Sequence, residues 1–211
     1  MTVSQQAVVN WITAFARAVA TEKDHLTALD AAIGDADHGA NMDRGLKAVV
    51  AKLSSEASPD IGAVLSRVGS TLISSVGGAS GPLYGSLFLQ MGSAARGRRE
   101  LGLEEWTAAL QRGVDAVARL GKAQVGEKTM LDTLVPALDA LRSAAGAGAS
   151  LPAALAQAER AAREGMLSTI PLVARKGRAS YLGERSAGHQ DPGATSAHLL
   201  LRTAAEIWKE R

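Results

Sequence analysis

The chain has 211 residues and a formal net charge of +2, with 23 Lys and Arg set against 21 Asp and Glu, and no cysteine. That balance lacks the broad basic field that direct nucleic-acid binding draws on, and the missing cysteine excludes disulfides, thiolate zinc sites and a cysteine nucleophile. Hydrophobic residues make up 46% but aromatics only 3%, so Ala, Leu, Val and Ile must build the core, a mixture suited to closely packed helices.

The N-terminal stretch MTVSQQAVVNWITAF has no basic segment leading into an apolar one, and no apolar run approaches the length of a membrane span. The expectation is a soluble, cytoplasmic chain without membrane contact, folded as one domain over residues 1–211. Apolar residues recur at spacings of three and four, as in Ile61, Val64, Leu65, Val68 and Leu72, and alternating strand patterns are absent. The spacing predicts eight helices, over about 4–32, 40–54, 60–75, 81–96, 103–120, 129–147, 151–174 and 193–209. Gly and Pro mark the breaks between them. The fold class is all-α, an eight-helix up-and-down barrel or bundle.

In chain order, the first constellation is Asp30, Asp35 and Asp37, with Gly34, His38, Gly39 and Asn41 among them. Carboxylates this close repel unless a cation sits between them, and a hard divalent ion with oxygen ligands, Mg²⁺ above all, suits them. Asp30 would lie in the last turn of the first helix. Asp35 and Asp37 would sit two apart in an extended segment, pointing to one side. The chain would then turn at Gly39 into a helix beginning near Ala40 and Asn41. The plainer alternative is that Asp35 and Asp37 cap that helix and Asp30 is solvated. For His38, a hydrogen bond to a phosphate or to a carboxylate of the cluster competes with a purely structural role; zinc is disfavoured by the hard-oxygen neighbours.

The second segment, Ser74-Ser75-Val76-Gly77-Gly78-Ala79-Ser80-Gly81-Pro82, joins two helices through glycines. Free amides at such a helix start attract anions, although a tight packing turn would need the same small residues. The third, Gly121 to Asp132, enters the next helix with Thr129 as candidate N-cap. The fourth runs from Arg175 to Ser196 through a long irregular stretch, with Asp191 as candidate cap and Pro192 in the first turn. Its Lys176 and Arg178 could neutralise phosphates or simply be solvated. The Arg-Gly-Arg-Arg run at 96–99 reads as a solvated loop. These four segments follow the first, third, fifth and seventh predicted helices, so an up-and-down bundle places them on one rim. Acidic metal ligands, amide dipoles and an arginine on one rim describe a Mg²⁺–nucleotide site.

The motifs GDADHGANM, SSVGGASGPLYG, GEKTMLD and RKGRASYLGERSAGHQDPGATS resemble, essentially end to end, the ADP-binding L subunits of bacterial phosphotransferase-system-dependent dihydroxyacetone kinases. The chain is also similar to the C-terminal nucleotide domain of single-chain dihydroxyacetone kinases. The resemblance implies an eight-helix barrel holding ADP or ATP and two Mg²⁺ ions at one end. It implies that Asp30, Asp35 and Asp37 hold Mg²⁺, and that His38, Gly39, Ala40, Asn41, Ala79, Ser80, Gly121, Met130, Arg178, Asp191, Pro192 and Gly193 hold the nucleotide. Arg178 would also stabilise charge during transfer, and no residue of this chain is assigned as a catalytic base. The implied cycle rephosphorylates bound ADP from a phosphohistidine on an M-type partner and passes the phosphoryl group to dihydroxyacetone held on a separate K subunit. A contact with a transcription regulator is a further implied partner, and a homodimer is compatible with it. Two other readings stay open here: the nucleotide subunit of a kinase for another small keto sugar such as erythrulose, or a nucleotide-dependent regulatory module.

Overall fold

Four helices begin where a short polar side chain accepts a hydrogen bond from a backbone amide three residues on. Ser4 accepts from Ala7, Asp60 from Ala63, Ser150 from Ala153 and Asp191 from Ala194, each satisfying an amide that the helix itself cannot. The computed structural model describes residues 2–55 and 57–209; residues 1, 56, 210 and 211 lie outside that set. The described helices are α1 (Gln5–Thr21), α2 (Lys23–Ile33), α3 (His38–Ser55), α4 (Ile61–Ser75), α5 (Ser80–Ala94), α6 (Leu103–Gly121), α7 (Leu131–Gly146), α8 (Leu151–Ser168) and α9 (Pro192–Ile207), with a 3₁₀ segment over Arg178–Ser186. A two-residue antiparallel bridge pairs β1 (Val3–Ser4) with β2 (Glu100–Leu101), Val3 opposite Leu101.

The all-α class stands, with two corrections to the elements. The predicted first helix is divided at Glu22, whose ψ of 9° ends α1 before α2 begins. No Gly or Pro marks that break. Thr21 returns its hydroxyl to the Arg17 carbonyl at 3.1 Å, but Thr13 and Thr27 do the same to Val9 and Lys23 within unbroken helices, so this bond does not account for the break. The predicted seventh helix ends at Ser168, not near 174, and the stretch after it carries the 3₁₀ segment.

Consecutive helices pack from α3 through α9, and α1 closes the ring by packing on both α9 and α3. A continuous hydrophobic cluster fills the ring, drawing on Phe15, Leu46, Leu72, Phe88, Leu110, Leu134, Leu155 and Leu200 among others. The α4–α5 pair approaches most closely where glycines face each other. A Cβ on Gly69 would come within 2.7 Å of the Gly85 carbonyl, and one on Gly62 within 2.6 Å of that of Gly92. The three tryptophans gather near the start of α6 and the end of α9, with Trp106–Trp208 ring centroids 4.9 Å apart and Trp11–Trp106 5.2 Å. Because α6 ends and α9 begins at the opposite rim, this aromatic cluster closes one end and leaves the other to the interhelical loops. No described helix is long and apolar enough to cross a membrane.

Candidate functional site

The open end holds a cavity of about 270 Å³. All four predicted loop segments line it: Asp30 to His38, Gly77 to Ser80, Gly121 to Leu131, and Lys176 to Ala179 with Asp191 to Gly193. The rim deduced by counting helices is therefore the rim observed.

Asp30, Asp35 and Asp37 each turn a carboxylate oxygen to a common point, the three atoms lying within 4.8 Å of one another. The local backbone explains how. Asp30, in the last turn of α2, is fixed because its Oδ2 accepts the amides of Asp37 at 2.8 Å and His38 at 3.1 Å. Its Oδ1 faces Gly34, where any Cβ would collide with it. Asp35 and Asp37 do not flank an extended residue as expected: Ala36 has a left-handed φ of 61°, and this tight turn, not strand alternation, brings the two carboxylates round. The donors are all hard oxygens, Asp30 is buried, and space for the group is preserved by a glycine, so the triad fits a hard divalent cation such as Mg²⁺. Arg178 Nε lies 3.1 Å from Asp35 Oδ2 at the exposed edge. Ile33, Ala174 and Ala179, with Leu182 packed on them, form a small satellite core that seats the 3₁₀ segment beside the end of α2.

His38 starts α3 and does not present a free ring nitrogen. Its Nδ1 meets Ser80 Oγ at 3.0 Å and its Nε2 meets Ser196 Oγ at 2.9 Å. The phenol of Tyr84 reaches the same Ser196 hydroxyl at 2.7 Å. Burial lowers the His38 pKa against the pull of Asp30 and Asp37, and burial raises that of Tyr84. The ring thus meets two hydroxyls and not a carboxylate of the cluster, which gives both buried nitrogens a partner. Tyr84 and Ser196 had no signal in the sequence, being paired across 112 positions.

Gly39, Ala40 and Asn41 do not line the cavity. Gly39 lies inside α3, where its missing Cβ allows contact with the Lys23 carbonyl and Thr27 of α2; it is a packing glycine and not the turn expected. Ala40 is exposed, and buried Asn41 accepts from Arg44 at 2.7 Å and sits against Gly77. Ala79 and Ser80 line the cavity at the start of α5, after Gly78 with φ 66°. Gly121 leaves room beside Leu83 and Ala123, and with Val117 and Met130 these form an apolar wall.

Asp191 caps α9 as expected, with Pro192 in the first turn. Burial, reinforced by Asp132 and only partly offset by the Ala194 amide, pushes its carboxyl up to about 7. Gly193 fits closely between Asp191 and Met130. Thr129 takes the capping role as expected: its Oγ1 accepts the Leu131 amide at 3.2 Å, and buried Asp132 reaches back to accept the amides of Thr129 at 2.7 Å and Gly126. Lys128, unassigned by the sequence, also lines the cavity.

Residues 32–206 match the DAK2 domain family model. The chain is 49% identical over its whole length, and over the whole of the relative, to the ADP-binding subunit of a PEP-dependent dihydroxyacetone kinase of Escherichia coli. It is 39% identical to the ADP-binding subunit of a PTS-dependent dihydroxyacetone kinase of Lactococcus lactis, over 94% of this chain and 95% of that one. The dihydroxyacetone kinase of C. freundii, crystallised with AMP-PNP and Mg²⁺, superposes with a TM-score of 0.72 at 26% identity, covering 94% of this chain and 33% of that one. A helical ring with an acidic, loop-built rim, matched along most of its length by this model, belongs to the DAK2 domain family.

Proposed function

We propose that the chain is the nucleotide-holding subunit of a dihydroxyacetone kinase, one functional unit over 1–211, taking ADP or ATP with Mg²⁺ in the rim cavity. The observation that carries this reading is the convergence of three carboxylate oxygens within 4.8 Å beside the helix starts that line the same cavity. Asp30, Asp35 and Asp37 would hold the metal, which, when bound, neutralises phosphate charge and orients the transferring group.

The chain's own contribution is positioning. The starts of α5 and α9 line the cavity, and free amides at a helix start favour anions. Ser80 is held by His38, and the apolar wall of Leu83, Val117, Ala123 and Met130 suits one face of a purine ring. Arg178 reaches the acidic edge on a seated but exposed segment, where a guanidinium can meet a phosphoryl group in transit. No side chain of the rim is needed as a base, since phosphoryl transfer asks mainly for alignment and charge neutralisation.

The donor in this reading is a phosphohistidine on a phosphotransferase partner, supported by the identity of 49% to a PEP-dependent subunit and 39% to a PTS-dependent one. The acceptor, dihydroxyacetone, would sit on a separate K subunit. Reconstitution tests this: the chain is combined with a sugar-binding subunit, and phosphorylation of dihydroxyacetone and erythrulose is followed with either free ATP or the phosphohistidine protein. Turnover of dihydroxyacetone from the phosphohistidine protein is expected. Turnover from free ATP alone removes the proposed donor, a preference for erythrulose removes the acceptor, and no turnover from either donor refutes the kinase reading.

A further inference from the structure

A lysine before a helix start, in a glycine-bearing loop that lines an anion-suited cavity, invites the role of phosphate ligand. Lys128 does not take it. Its side chain is 1% exposed, and its ammonium donates to the carbonyls of Thr169 at 2.7 Å, Leu172 at 3.2 Å and His189, with that of Ile170 further off at 3.4 Å. An ammonium has three N–H groups, and these acceptors use all of them.

The backbone is bent to achieve this. Lys128 has φ 63°, left-handed and costly for a residue with a side chain, and such strain persists only where the surroundings over-determine it. Asp132 secures the same loop from the other side through the amides of Gly126 and Thr129. Glu127 adds a carbonyl that accepts the Arg175 amide at 3.1 Å, and Gly188 donates to Ile170 at 2.8 Å. Three stretches distant in sequence, 124–130, 169–175 and 188–191, thus meet around one ammonium. Each leads into cavity-lining residues: Met130, Lys176 to Arg178, and Asp191 to Gly193.

We propose that Lys128 is a positioning residue, a carbonyl-bound clamp that sets the relative placement of Met130, the Arg178 segment and the Asp191 cap before any ligand arrives. This rests on the nucleotide reading for its effect on binding, though not for the clamp itself. The clamp places every N–H of the ammonium on a carbonyl of this chain, whereas a phosphate-binding lysine would keep at least one for its ligand.

The test begins with the wild-type chain treated with acetic anhydride, with and without Mg²⁺–ADP, and mapped by mass spectrometry. Lys128 is expected to stay unmodified in both states; modification in the free chain with protection by nucleotide would overturn the clamp. In Lys128→Met without nucleotide, the amides of Arg175 and Gly188 should exchange at least tenfold faster, and Mg²⁺–ADP should dissociate at least tenfold faster at temperatures well below unfolding. Propylammonium should recover the slow dissociation in Lys128→Ala, and propanol should not. Unchanged exchange, or a lower Tm with unchanged dissociation, would overturn the proposal. Should a variant not fold, wild-type labelling still decides between clamp and phosphate ligand. If the wild-type chain binds no Mg²⁺–ADP, the nucleotide reading fails alone, and labelling with exchange still judges the clamp.

Discussion

Each rim residue does its work through a neighbour that disposes of an energetic cost. Asp30 tolerates the unfavourable C-terminal end of α2 because two amides bind its Oδ2, which leaves its Oδ1 facing the space kept by Gly34. Asp191 is both cap and buried acid, and its carboxyl pushed up to about 7 has a consequence for stability. A raised acid pKa favours the proton in the folded state, so its contribution is fully present below about pH 4 and is lost as pH rises towards 7. Asp191→Asn keeps a capping oxygen and removes the ionisation. Without nucleotide, the variant should therefore be the more stable chain at pH 7.5, by on the order of a few kcal/mol, and the gap should shrink to nothing near pH 4. Thermal melts across that range check it; a gap independent of pH would remove the buried ionisation. The acidic triad was legible from the sequence because three carboxylates in eight positions demand an explanation wherever they fall. The left-handed Ala36 that brings them together was not, since alanine carries no signal for positive φ, and neither was Lys128, whose carbonyl partners lie 41 to 61 positions away.

At the level of elements, apolar periodicity and turn residues marked most helices, and loop parity placed four segments on one rim. The break at Glu22 escaped because nothing in Ala20-Thr21-Glu22-Lys23 punctuates a helix. Gly39 misled for a related reason: a glycine serves helix contact as readily as a turn, and only the packing of α2 on α3 decides which. The same economy of small residues governs α4 and α5, whose glycines let backbones touch. Gly69→Val would push a side chain into the Gly85 carbonyl and the Leu89 backbone and part the two helices. A cost of about 1–3 kcal/mol is expected, read as a fall in Tm of about 2–4 °C per kcal/mol. Since these helices flank the Gly77–Ser80 turn, nucleotide affinity should fall with it. A variant with unaltered Tm would show that the contact is looser than described.

Over the whole molecule, stability and chemistry occupy opposite ends. The tryptophan cluster closes one end of the ring, with Trp11 Nε1 bonded to the Leu200 carbonyl at 2.9 Å, while the rim collects carboxylates and helix starts. Trp106→Ala should cost about 3–5 kcal/mol of stability and leave Mg²⁺–ADP affinity within about twofold at 20 °C, as sites far apart without shared partners act independently. A large loss of affinity in a still-folded variant would tie the two ends together. The account as a whole turns on the acidic triad as a metal site that anchors a nucleotide. Calorimetric titration with ADP, with and without Mg²⁺, compares the wild-type chain with the Asp35→Asn, Asp37→Asn double variant. The account predicts binding by the wild type that requires Mg²⁺ and is weakened at least a hundredfold in a variant of unchanged helical content; equal affinity in both chains, or wild-type binding indifferent to Mg²⁺, would contradict it.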